Sequence, residues 1–412
     1  MAQEVTYPGY RWVMLLLAWF LNFMVGMNHV IVATRAHDLI PQLGLTTSQF
    51  YICYSAVAIV PIVMCLVGGT LSDRFGVKWT LGIGAALATA GALLRLTATG
   101  FWPFFIWMAL LGIGYGVVIP IRAKLVAVWF PPRQVAVATG IYLTGTLGTA
   151  IALFVGAMFA TWQIALIVTG VVMAVGTVAW FILARERPTE VAGVIVKGVP
   201  LKEGLAVAAR SKNMWWASAS YIFTIGVIMA WIGGMPHFLE TSKGMSPGAA
   251  SLIPAISVAA FILGTVFWPV MAEKLGRIKP VYMIGVVLTG LTGVLTYYVA
   301  PGALCFAFAF LPGFFAGCGP GMVMQLPIHL PEFGPRYAGN AGGLLFSMYH
   351  IGSFVLLPFM FTPIWNAFGP NWAAWFLAIA LAIAAALFLP VLEVGRKARE
   401  AREQEMAAAK EA

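Results

Sequence analysis

Gly68-Gly69-Thr70-Leu71-Ser72-Asp73-Arg74-Phe75-Gly76-Val77-Lys78 forms a short charged turn between two long apolar runs. About two hundred residues later stands a degenerate copy, Pro269-Val270-Met271-Ala272-Glu273-Lys274-Leu275-Gly276-Arg277-Ile278-Lys279. Asp73 answers to Glu273, Arg74 to Lys274 and Gly76 to Gly276. A fixed offset of this kind is the trace of an internal duplication. Duplicated apolar halves of this size describe a membrane-transporter architecture.

Composition supports a membrane chain. The 412 residues are 61% hydrophobic and only 9% charged, with mean hydropathy +0.92. Soluble domains carry about 25% charged residues, so most side chains here must face lipid or buried helices. The formal net charge of +10 is not read as a nucleic-acid footprint. Most Lys and Arg fall in the N-terminus, the C-terminal tail or loops on one expected side, which is the positive-inside bias. Cys53, Cys65, Cys305 and Cys318 all lie inside apolar runs. Their spacing fits no metal motif and their setting argues against structural disulfides. The first apolar run is too long for a signal peptide and lacks a small-residue cleavage site, so it reads as a true span.

A bilayer core needs about 20 apolar residues per helix. Such runs fall at 12–34, 48–71, 79–99, 102–130, 135–160 and 163–184, then at 214–239, 248–272, 279–299, 303–330, 338–364 and 372–392. The expected fold is therefore an all-α membrane protein. Its twelve transmembrane helices form two pseudo-symmetric six-helix bundles, 1–184 and 214–392. Residues 185–213, with six Lys and Arg, read as a cytoplasmic linker, and 393–412 as a cytoplasmic tail. An even span count with basic ends places both termini in the cytoplasm, with 35–47 outside. Gly112, Gly114 and Gly116 recur at small-residue spacing, as do Gly313, Gly317, Gly319 and Gly321, which implies close helix packing.

The turn at 68–78 resembles the loop between the second and third helices of the major facilitator superfamily, a G-x-x-x-D-R-x-G-R-[RK] pattern. Gly69, Asp73, Arg74, Gly76 and Lys78 match, while Val77 stands where the family usually has Arg. The resemblance implies that Gly69, Asp73, Arg74 and Gly76, with Glu273, Lys274 and Gly276 of the copy, form a gating motif. It also implies that helices one, four, seven and ten line the cavity.

The halves align again after helices four and ten. Phe130-Pro131-Pro132-Arg133 corresponds to Phe333-Gly334-Pro335-Arg336, which pairs Arg122 with Gln325. Both lie eight residues before the loop, roughly 12 Å into the membrane at 1.5 Å per residue, against about 15 Å for half the hydrocarbon core. A cation at that depth is costly and tends to be functional. Lys124, nearer the cytoplasm, reads as snorkelling. All Asp and Glu fall in loops, span ends or tails, so Arg122 has no evident buried counter-ion, and a substrate anion would relieve it. The same absence argues against a proton-driven drug antiporter and leaves His29 and His350 as the proton-sensitive groups.

Helical spacing places Trp19, Asn22, Gly26 and His29 on one face of helix one. Tyr115 lies on the Arg122 face, and Tyr142, Trp231, Ser347 and His350 add polar positions on helices five, seven and eleven. Each alone fits a helix–helix hydrogen bond; together they suggest a polar substrate site. No phosphate loop, metal cluster or nucleophile–base arrangement appears, so no cofactor, metal, nucleic-acid partner or enzymatic activity is expected.

The expected function is transport of a small anion across the cytoplasmic (inner) membrane, by a monomer in contact with membrane lipid. The Trp129-Phe130-Pro131-Pro132-Arg133 segment with Ala138-Thr139-Gly140 resembles bacterial anion and monocarboxylate carriers and is similar to the cyanate and nitrate/nitrite branches, though the Gly/Asn-rich nitrate signature is missing. The alternative is a carrier of a quaternary amine such as choline, held by Trp19, Trp231, Tyr115 and Tyr349 through cation–π attraction. The Val128-Trp129-Phe130 segment resembles eukaryotic choline and haem carriers. A receptor or scaffold would not need polar residues at midplane.

Overall fold

A computed structural model describes residues 7–186 and 201–411. Within that range every regular element is helical. Twelve helices are long and apolar enough to cross a membrane, from Arg11–Gln42 to Pro370–Phe388. The expected linker 185–213 lies partly outside the described residues; its described part forms a helix at Leu201–Arg210.

The sixth span, Trp162–Leu183, shows why these sequences are helices in lipid. Thr169, Met173, Gly176, Thr177 and Trp180 are buried, while Ile164, Val168, Val171, Val175, Val178 and Ile182 are exposed. Both faces are apolar, as a helix needs when one side packs on protein and the other meets hydrocarbon. Exposed tryptophans sit toward span ends, among them Trp12, Trp79, Trp102, Trp215 and Trp372, where an amphipathic ring suits the headgroup layer.

Packing divides the chain into two compact units. The first comprises Met1–Leu201 with Ile232–Ala255, the second Lys202–Trp231 with Ile256–Ala412. In the first unit Gly112 backs onto the Val57 carbonyl, and in the second its equivalent Gly313 backs onto that of Ser257. A Cβ at either position would collide with backbone, so the glycine stripes serve close helix packing. The assignment of Ile232–Ala255 to the first unit has visible causes. Tyr51 donates to the Gly234 carbonyl at 3.3 Å, and Gly233 packs directly on the Tyr54 ring.

Three details depart from regular spans. The first helix does not stop near residue 34: after Arg11–Val30 and a short 3-10 turn it continues as Ala36–Gln42. The tenth span is broken into Ala303–Phe308, Phe310–Ala316, Cys318–Val323 and Leu326–His329, as its glycines and prolines dictate. The eleventh span carries a π-helical stretch at Leu357–Phe361, opening at Pro358.

The repeated turns have a common construction. The chain passes through Gly76 at φ 78° and through Gly276 at φ 70°, a left-handed region costly for any residue with a Cβ. A helix follows each glycine, directly in the first turn and after two further residues in the second, and a distant carboxylate caps it. Glu186 accepts from the Val77 and Lys78 backbone N–H groups at 3.1 and 2.8 Å. Glu393 accepts from those of Ile278 and Lys279 at 2.9 and 3.1 Å. Each fills orphan donors at a positive helix end.

Candidate functional site

In the first unit the expected site residues gather where the first, fourth and fifth spans meet. Tyr142 is buried and donates from its hydroxyl to the Val118 carbonyl at 3.0 Å. Val118 lies one helical turn before Arg122, and the Tyr142 hydroxyl and the guanidinium are close enough to interact electrostatically. Arg122 is half-buried, and its side chain makes no ion pair or hydrogen bond among the described residues. Asn22 donates to the Tyr142 carbonyl at 3.3 Å, and Trp19 donates to Thr144 Oγ1 at 2.9 Å. Gly26 faces Thr149 and the Tyr115 hydroxyl. The helix-one stripe therefore packs on the fifth span, and Asn22 and Trp19 are held by it.

His29 turns to the second span. Its ring stacks on Tyr54 with centroids 4.5 Å apart, meets Tyr115 edge-on at 5.7 Å, and lies 3.3 Å from the Tyr54 carbonyl oxygen. Lys124 donates to the Ser72 carbonyl at 2.7 Å. Arg74 is exposed beside the Phe75 ring; the side chains of 68–70 and of Asp73 lie outside the described residues.

In the second unit Trp231 is buried and donates to Ser257 Oγ at 3.0 Å; Ser257 in turn donates to the Ala309 carbonyl at 2.6 Å. The Trp231 ring lies against Gly293. Ser347 and His350 are buried, and His350 meets Tyr349 edge-on at 4.8 Å. Ser220 and Thr224 converge on the Tyr282 hydroxyl at 3.0 and 2.9 Å, an interhelical knot rather than a lining. Gln325 is exposed at the last break of the tenth span. Glu273 and Lys274 are exposed, with Glu273 3.9 Å from Arg399.

Two polar clusters escaped sequence reasoning. Arg95 is fully buried at the end of the third span, bonding through Nη2 to Asn28 Oδ1 at 2.9 Å, through Nη1 to the Asn28 carbonyl, and through Nε to the Ala92 carbonyl. Asn28 passes its amide N–H groups to the Met24 and Thr169 carbonyls. At the end of the first helix, Arg35 pairs with Asp38 at 2.8 Å, and His37 lies 3.4 Å from Asp38 and 3.5 Å from Glu240. His237 lies 3.8 Å from Glu240. The signal available was His237 three residues before Glu240 on one helix face. No group of three or more His, Cys, Asp or Glu able to hold a metal occurs among the described residues.

The sequence profile of the Major Facilitator Superfamily matches residues 15–357 and 232–411. This chain belongs to that superfamily. It is a transporter and not an enzyme. The superfamily member is 24% identical over 387 residues to the nitrite extrusion protein of Bacillus subtilis, covering 90% of this chain and 92% of that one. It is 24% identical to the probable sulfoacetate transporter SauU of Cupriavidus necator, over 81% and 82% of the two chains. The hexuronate transporter of Bacillus subtilis is 26% identical over 263 residues; the match spans 60% of that relative's length. Among solved structures, a bacterial homologue of the human lysosomal transporter Spinster superposes with TM-score 0.75 at 15% identity, covering 94% of this chain and 96% of that one. That likeness concerns the fold.

Proposed function

We propose that this superfamily member carries a small organic or inorganic anion across the bacterial inner membrane by alternating access, and that Arg122 binds the anionic group. The observation that carries this reading is the Arg122 guanidinium: half-buried within the fourth span, beside Tyr142, and without an ion pair or hydrogen bond among the described residues. A guanidinium offers two parallel donors to a carboxylate, nitrite or sulfonate. Relatives named for nitrite, sulfoacetate and hexuronate support a substrate of that charge. Tyr142, Tyr115 and Asn22 would position it, with His29, Trp19, Trp231, Gln325, Ser347 and His350 as the wider set. Gly69, Asp73, Arg74 and Gly76, with Glu273, Lys274 and Gly276, would govern the exchange between facing states of the bundles 1–184 and 214–392. The amine reading loses support because Trp231 is buried against Gly293 and Trp19 is tied to Thr144.

Uptake of radiolabelled nitrite, sulfoacetate, hexuronate and choline into proteoliposomes tests the reading. Arg122→Gln should weaken the transported anion about 10- to 150-fold, the loss of a charge-assisted bond of ~1.5–3 kcal/mol. Arg122→Lys should recover only part of it. Wild-type anion affinity in a folded Arg122→Gln protein, or choline uptake alone, would overturn the assignment. Orientation has its own assay: a cysteine at Gln42 should react with an impermeant maleimide in intact cells, and one at Ala401 should not.

A further inference from the structure

The turn after the eighth span, the start of the ninth and the tail enclose a cleft of about 510 Å³, lined by Arg277, Lys279, Pro280, Met283, Glu393, Lys397 and Ala398. Three cations from two segments, the turn into the ninth span and the tail helix, meet one carboxylate there. Both Glu393 oxygens are already occupied: one accepts from the Ile278 and Gly395 N–H groups, the other from that of Lys279. The side chains of Arg277, Lys279 and Lys397 make no ion pair or hydrogen bond among the described residues. Their convergence is nonetheless fixed by the backbone. The Lys397 N–H donates to the Gly276 carbonyl at 3.1 Å, and its aliphatic stem lies across the bare face of Gly276. Gly395 packs on the Gly276 carbonyl and Arg277 backbone, which sets the tail helix Arg396–Glu411 at the rim.

One wall continues toward the bilayer. Pro280 and Met283 line the cleft, and Ile284 beyond them is 57% exposed on the ninth span. A cationic mouth with an apolar wall running down a membrane helix matches the two ends of an acidic phospholipid. Basic pockets between membrane helices bind such headgroups.

We infer that Arg277, Lys279 and Lys397 form a binding site for a phosphate monoanion, supplied by the headgroup of an acidic phospholipid whose acyl chain lies along Met283. The inference needs only the membrane setting of the twelve helices. It is independent of which face the tail occupies and of the Arg122 assignment, so Arg122→Gln should leave it intact.

Native mass spectrometry of the purified full-length protein, titrated with phosphatidylglycerol or phosphatidylethanolamine, reads the site directly. The wild type should bind one phosphatidylglycerol at least about tenfold more tightly than phosphatidylethanolamine. At about fivefold per cation near an anionic headgroup, each of Arg277→Ala, Lys279→Ala and Lys397→Ala should weaken it severalfold, and the triple variant on the order of a hundredfold. Lys397→Arg should retain it, which separates lost charge from lost folding. The preference should shrink with salt. Equal binding of the two lipids by the wild type would overturn the inference, as would an unchanged preference in a folded triple variant. If inorganic phosphate protects the protein against heat and displaces phosphatidylglycerol where chloride at equal ionic strength does not, the source is soluble phosphate and the lipid assignment falls.

Discussion

The two repeated turns use one device and surround it differently. In both, a left-handed glycine precedes a helix whose first N–H groups are held by a carboxylate from just beyond the last span of the same half. In the first turn the Glu186 carboxylate itself lies against Gly76, in the open. In the second, Glu393 is half-buried, and the neighbour of Gly276 is the flexible stem of Lys397 from the tail helix. Duplication has preserved the backbone bend and the anionic cap. The loop charges, by contrast, have drifted from Asp73 and Arg74 to Glu273 and Lys274. The shared geometry is what the fold requires, and the covering is where the halves are free to differ.

The sharpest way to break that comparison is a methyl group at each glycine. Both substitutions incur roughly 1–2 kcal/mol for the left-handed backbone. A Cβ at Gly76 would also fall 2.6 Å from the Glu186 carboxylate and push it off the two N–H groups it caps, whereas at Gly276 it meets the stem of Lys397 at 2.7 Å, whose ammonium caps nothing there. Gly76→Ala should therefore lose about 2–3 kcal/mol and Gly276→Ala about 1–2, measured as thermal unfolding in detergent. Equal shifts would mean that the carboxylate's position over Gly76 is immaterial.

Neutralising the caps should reverse the order. Glu393→Gln removes a half-buried charge that serves three N–H groups and should cost about 1–2 kcal/mol. Exposed Glu186→Gln should cost about half of that, since solvent screens it. Matched losses in the same melts would erase the proposed difference in shielding.

The smallest effect belongs to the tail. Arg399 lies 2.9 Å from His329 Nδ1 and 3.9 Å from Glu273, contacts worth about 0.2–1 kcal/mol at an exposed site. Arg399→Ala should leave the melting point nearly unchanged yet speed amide exchange across Arg396–Glu411, with the first turn unaffected. Unchanged exchange would show that the backbone bond from Lys397 to Gly276 suffices to hold the tail.

Much of this architecture is legible in the sequence. Hydropathy locates all twelve spans, because a helix between lipid and protein must be apolar on every face. The repeated turn motif marks Gly76 and Gly276, two of the glycines with positive φ. The caps were not legible: Glu186 and Glu393 sit over a hundred residues from the helices they hold, and nothing local marks them as partners. Arg95 was hidden for the same reason, since only the fold brings Asn28 to it. Asp38 and Glu240 read as span ends because their helices run on past the apolar stretch. At the candidate site the sequence singled out Arg122, but not that Asn22 and Trp19 are bound to the fifth span.

The anion site proposed at Arg122 has an electrical consequence. A guanidinium within a span, with no carboxylate paired to it among the described residues, is a fixed positive charge inside the membrane field. Holding a monovalent anion would make the site neutral, and releasing it would restore the charge. The voltage would then act on the return of the empty carrier rather than on the loaded step, at about 2.3 kcal/mol per 100 mV for a charge crossing the full field. Imposing a potassium diffusion potential on proteoliposomes should therefore change net anion flux, while exchange of anion for anion should be nearly indifferent to it. Exchange as voltage-sensitive as net flux would mean that the moving charge lies elsewhere.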